Sequence, residues 1–186
     1  MANYVGYCVT PNVPSDKCVK VLVPEGGLHA GQIVNLVSLA ASVEGVDNNL
    51  EVYTATQPTT ATLGSKFFAM IVPAGNLETL ADGRRPAGQP DYTQYEYGVG
   101  EVADAVIMDK NIMFEIGVGT VTGGTVATPS TDIGKYIVPA NATYTGAVSA
   151  EATAGLCLKI LGTTYMPNGG LFGAGFIACY RARGEI

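Results

Sequence analysis

The sequence predicts a mainly β fold: a compact barrel- or sandwich-like domain of about nine short strands, with a long ordered loop, or arm, over 73–97. Three observations point there. Glycine and proline, 24 and 10 in number, interrupt the chain at intervals too short for most helices. Several of the intervening runs alternate apolar and polar residues, the period of a half-buried strand. No heptad and no repeat of fixed length is present. The 186 residues are read as one β-rich domain, 1–186, long enough to bury a core without staples.

The elements follow in order. Residues 17–23 (Lys-Cys-Val-Lys-Val-Leu-Val) form a strand, stopped by Pro24-Glu25-Gly26-Gly27. A second strand over 31–39 is entered through Gly31-Gln32. A third covers 50–55, with Leu50, Val52 and the Tyr53 ring as its apolar content. The run 66–72 (Lys-Phe-Phe-Ala-Met-Ile-Val) is apolar on both faces and reads as a fully buried strand. Further strands are expected over 98–108, 111–118, 134–138, 156–162 and 175–181. In the 156–162 run, Leu156, Leu158 and Ile160 share one face and Cys157 and Lys159 the other. Helical signal is confined to single turns at 59–64 and 40–46, the latter opposed by Gly45.

The arm carries Arg84, Arg85, Tyr92, Tyr95 and Tyr97. Loops longer than about 12–15 residues are usually functional or disordered, and arginine and tyrosine are the residue types that hold interfaces together. These five residues are the candidate interface. The arm either folds over its own sheet or reaches onto a neighbour.

Composition and charge narrow the function. Charged residues make up only 14% of the chain and apolar ones 47%, against roughly a quarter charged in an average domain. So uncharged a chain hides part of its surface against neighbours. The net charge is −6 and basic residues are scattered, with Arg84-Arg85 and Arg181/Arg183 the only clusters. Nucleic-acid binding, which needs clustered positive charge, is not expected. The N-terminus has no charged-then-apolar leader pattern and no run approaches the ~18 apolar residues of a membrane span. Assembly in a cytoplasm is therefore expected. In that compartment Cys8, Cys18, Cys157 and Cys179 read as reduced thiols, with a Cys8–Cys18 or a Cys157–Cys179 bridge as the alternatives.

The common routes to catalysis close one by one. The single histidine, His29, sits among glycines and reads as a turn residue. No serine lies in a G-x-S-x-G elbow; Gly64-Ser65 is followed by Lys66-Phe67. Asp47, Asn49 and Glu51 resemble the start of a calcium loop, but Val52 and Pro58 occupy the positions that need glycine and glutamate. Gly98-x-Gly100 and Gly117-x-Gly119 do not extend to a phosphate-binding pattern and read as bulges or close strand approaches. Glu101, Asp104, Asp109 and Glu115 could supply a hydrolytic carboxylate pair, yet they spread over two strands of a chain without tryptophan and read as solvated strand faces. No catalytic residue, cofactor or metal is expected.

The order of segments carries a resemblance. Leu28-His29-Ala30-Gly31-Gln32-Ile33-Val34 is followed by Pro58-Thr59-Thr60-Ala61-Thr62-Leu63-Gly64 and the apolar strand from Phe67. Next come Asp82-Gly83-Arg84-Arg85-Pro86-Ala87-Gly88, a strand opening after Gly100-Glu101, and Gly134-Lys135-Tyr136-Ile137-Val138-Pro139. The chain closes through 156–161 and a strand ending in Tyr180-Arg181. In this layout the chain resembles the small structural proteins of tailed-bacteriophage heads that decorate or cement the capsid. The resemblance implies a β-rich fold, a place on the capsid exterior of the virion, and the major capsid protein and further copies of the chain, commonly a trimer, as partners. It transfers no catalytic residue. Another virion part (tail tube, connector or head-fibre base), a carbohydrate- or surface-binding module and a scattered-site hydrolase are the rival readings.

Overall fold

Short alternating runs separated by glycine turns build a closed barrel, a six-stranded sheet packed against it and a small two-stranded sheet. The computed structural model describes residues 6–8, 13–40, 52–59, 67–72, 96–152, 155, 157–167 and 176–185. In chain order the strands are β1 (Gly6–Cys8), β2 (Cys18–Leu22), β3 (Leu28–His29), β4 (Ile33–Leu39), β5 (Val52–Thr56), β6 (Phe68–Ile71) and β7 (Glu96–Tyr97). They continue as β8 (Val102–Ile107), β9 (Met113–Gly117), β10 (Tyr136–Pro139), β11 (Gly146–Ser149), β12 (Leu158–Pro167) and β13 (Phe176–Gly184). Helical structure among the described residues is limited to 3-10 turns at Ser15–Lys17, Val118–Thr120 and Pro129–Asp132. The fold is thus mainly β, and a strand overlaps each of the nine expected segments. The count is higher than nine because β1, β3, β7 and β11, two to four residues long, gain their partners only in three dimensions.

Strands β2, β5, β4, β6 and β8 close into a barrel in that order. All pairings are antiparallel except β2 with β5. Five strands leave a narrow lumen, and small side chains suit it: Ala55, Ala69, Ala103 and Ala105 lie there with Val19, Val21, Val34, Leu36 and Ile71. The second sheet has the order β1-β9-β13-β12-β10-β11 and is antiparallel throughout.

The two sheets meet through β6. Its alternate residues Ala69 and Ile71 enter the lumen, whereas Phe68 and Met70 join Ile33, Val106 and Met108 against Phe114, Ile116, Ile137, Leu158, Ile160 and Tyr180 of the large sheet. All four residues of β6 are buried, as its unbroken apolar run requires. A side chain such as Phe68 or Met70 contributes about 1.5–3 kcal/mol by leaving water.

Glycine makes the junction closer still. β1 crosses the turn that enters β4 so tightly that a Cβ on Gly6 would lie 2.0 Å from Gly31 Cα. Gly31 itself has φ +86°, and Gln32 N–H donates to the His29 carbonyl at 3.2 Å to close the turn. His29 therefore sits in β3, opposite Glu96, and not in the turn that its neighbours suggested.

Candidate interaction surface

Of the five residues expected at the interface, Arg84, Arg85, Tyr92 and Tyr95 lie outside the described residues. Tyr97 lies within them, in β7. It is 3% exposed, packed with the barrel-lumen residues, and its hydroxyl donates to the Val72 carbonyl at 2.9 Å. Tyr97 thus serves the chain's own core. Val72 N–H in turn donates to the Asp104 carbonyl at 2.9 Å. Val72 and Tyr97 are consequently held together at one pinned point.

The same construction recurs twice. Ala40 N–H donates to the Val52 carbonyl at 2.7 Å and closes the base of 41–51. Pro167 faces Phe176 at the base of 168–175. The barrel end from which 41–51 departs also carries Val37 and Leu39, both 56% exposed, and Phe67, whose ring meets Tyr53 edge-on at 5.4 Å. The expected single turns at 40–46 and 59–64 fall largely outside the described residues, as do Asp47, Asn49 and Glu51.

The four carboxylates considered for hydrolysis each have a partner. Asp104 accepts from Lys20, its direct cross-strand neighbour. Asp109 accepts from Lys17 at 2.7 Å, and this hydrogen bond, aided by the Lys110 N–H, lowers the carboxyl pKa while raising that of Lys17. Glu101 accepts from the Gly98 N–H at 2.7 Å. Glu115 departs from expectation: it is 3% exposed, not solvated, because Arg181 directly opposite on β13 donates Nε–H to it at 2.6 Å.

A further buried acid escaped the sequence reading. Asp132, 0% exposed, ends the 3-10 turn before β10. It accepts from the Lys135 ammonium at 2.7 Å, from the Thr125 N–H at 2.9 Å and from the Tyr180 hydroxyl. Burial alone would push this carboxyl up. The three sets of donors outweigh burial and hold it well below the usual carboxylate range. Tyr180 moves the other way, raised by burial and by its bond to Asp132. The cluster fastens the long β9–β10 connection onto the large sheet. The only sequence signal was Pro129-Ser130-Thr131-Asp132, a turn pattern that says nothing of Tyr180.

Cys18, Cys157 and Cys179 are free thiols, which rules out the Cys157–Cys179 bridge. Cys179 faces Thr164, whereas Cys157 lies by Glu185 at the other end of the strand pair. Burial, and then the nearby Glu115 charge, pushes the Cys179 thiol up to about 12. Among the described residues no three His, Cys, Asp or Glu side chains are grouped to hold a metal, and no helix is long and apolar enough to cross a membrane. No protein family, curated protein or solved structure matches the chain.

Proposed function

We propose that the chain is a non-catalytic virion protein that binds the outside of a tailed-bacteriophage capsid as a homo-oligomer and stabilises it, contacting the major capsid protein through the 73–97 arm. The observation that carries this reading is the pinned base of the arm. Tyr97 and Val72 hold both ends of 73–96 on a buried barrel wall, so a contact made by Arg84, Arg85, Tyr92 or Tyr95 is delivered from a rigid platform. The order of segments, the low charge and the pairing of all four candidate carboxylates are in keeping with it.

The physics of the role is preferential binding. A protein that binds the closed lattice better than the open one shifts the balance toward the closed form. Each contact can be weak, because several per oligomer multiply the effect. Arg84 and Arg85 supply guanidinium groups suited to carboxylates on the shell.

The test is the mass of the purified protein in solution, by light scattering, with and without empty capsids of its source. A small closed oligomer, or a monomer that loads onto capsids, supports the reading, and Arg84→Ala/Arg85→Ala then reduces loading. A monomer that ignores capsids refutes it.

A further inference from the structure

The outer face of the large sheet gathers positive charge on an acidic chain. Across it the register aligns Met113, Arg183, Lys159, Tyr136 and Ser149 in one row, and Glu115 with Arg181 in the next. Arg183 and Lys159 stand directly opposite each other, an arrangement that is unfavourable for like charges. Nothing within the described residues fully relieves it. Arg183 reaches Glu185 only at 3.5 Å through Nη2, and its buried Nε–H finds no acceptor among the described residues. The Lys159 ammonium lies 5.9 Å from the centre of the Tyr136 ring. Arg181 neutralises Glu115 but keeps 53% of its side chain exposed.

The shape is as pointed as the charge. A bulge between Ile160 and Gly162 sets Leu161 and Gly162 against Arg181. Leu161 is turned out, 41% exposed. A Cβ added to Gly162 would meet nothing within 4 Å, so open space lies over this glycine beside Arg181. Cations, an aromatic ring and an aliphatic side chain around a notch is the composition of a protein-binding face.

We infer that this sheet face is a second docking site, and that its occupant is a carboxylate-bearing segment of a partner protein, seated over Gly162 with its acidic groups on Arg183 and Lys159. The occupant is chosen by charge complementarity: an acidic segment places carboxylates against the exposed end of the Arg183 guanidinium, 43% of whose side chain is open to solvent, and against the Lys159 ammonium, and so separates the opposed cations. This rests on the reading of the chain as a binding protein but not on the arm. The net charge of −6 repels such a partner at long range, so the attraction acts at contact and fades as salt shortens the screening length from about 30 to about 8 Å between 0.01 and 0.15 M.

The experiment uses the full chain and a fluorescein-labelled oligoglutamate peptide, read by anisotropy at low salt, with amide shifts mapped by NMR. Binding is expected to perturb β12 and β13 and to weaken with salt. Lys159→Gln/Arg183→Gln is expected to lose about fivefold or more in affinity. Gly162→Gln, which fills the notch without touching the fold, is expected to lose binding with its melting temperature kept. Lys20→Gln removes a cation from the barrel and is expected to change nothing. Absence of binding, shifts away from β12 and β13, or equal losses in Lys20→Gln and the sheet variants would overturn the inference. The same variants on empty capsids separate the two proposals. Peptide binding by a protein that ignores capsids sinks the capsid reading alone; capsid loading with no peptide binding sinks the sheet face alone.

Discussion

Replacing Tyr180 by phenylalanine isolates one bond of the buried acid cluster. The ring is fully buried in the shared core and stays so in phenylalanine, so packing is preserved. What is lost is the hydroxyl's hydrogen bond to Asp132. The Thr125 N–H, which also lies 3.1 Å from that hydroxyl, keeps its own bond to Asp132, and Lys135 remains at 2.7 Å. No buried group is therefore stranded, and the loss is that of one hydrogen bond to a charged group, about 1.5–3 kcal/mol. For a chain of this size each kcal/mol moves the melting temperature by about 2–4 °C, so a drop of about 3–12 °C is expected at pH 7. The pH dependence follows from the depressed folded-state pKa of Asp132. Its stabilisation is complete above the unfolded value of about 3.9 and is lost as pH falls from there toward the folded value. The gap between wild type and variant should thus hold steady from pH 8 to about pH 5 and narrow only below about pH 4. Scanning calorimetry across that range checks it. A variant melting within about 1 °C of wild type at pH 7, or a gap that widens on acidification, would show that the Tyr180 hydroxyl does not stabilise the Asp132 carboxylate.

Other consequences are as direct. Gly6→Ala forces a Cβ to within 2.0 Å of Gly31 backbone, where no rotamer gives relief, so a loss of at least about 2 kcal/mol in urea unfolding is expected, against a near-neutral Gly162→Ala. Arg181→Gln leaves Glu115 buried without its cation and should cost about 1–3 kcal/mol, part of it recovered in the Glu115→Gln/Arg181→Gln double variant. Tyr97→Phe removes the bond at the base of the arm, about 0.5–1.5 kcal/mol, and should hasten cleavage within 73–96 under limited proteolysis more than at other sites. A thiol reagent at pH 8 should modify exposed Cys18 while sparing Cys157 and Cys179 until the protein is unfolded, as read by mass spectrometry.

The fold was legible where local pattern decides it. The apolar run at β6 announces burial on both faces, and the alternation of Leu158, Lys159 and Ile160 announces a strand with one face inward. Pattern failed where a distant partner decides. β3 and β7 are two residues each and exist because Leu28 meets Tyr97 across almost seventy positions of chain. β12 runs on to Pro167, past its alternating part, because β13 is there to pair with it. Asp132 and Glu115 look like solvent-facing acids in sequence; Tyr180 and Arg181, adjacent on β13, are what allow them inside. Tyr97 was read as an interface residue because tyrosine is common there, and only the neighbouring Val72 carbonyl reveals its core role.

The closed bases at Ala40/Val52, Val72/Tyr97 and Pro167/Phe176 also bear on how such a chain can diversify. Since each of these pairs is fixed within the barrel or the sheet, doubling the length of chain between its two members adds only about 0.6 kcal/mol of closure entropy. Foreign peptides grafted between Val72 and Tyr97 would inherit the same footing.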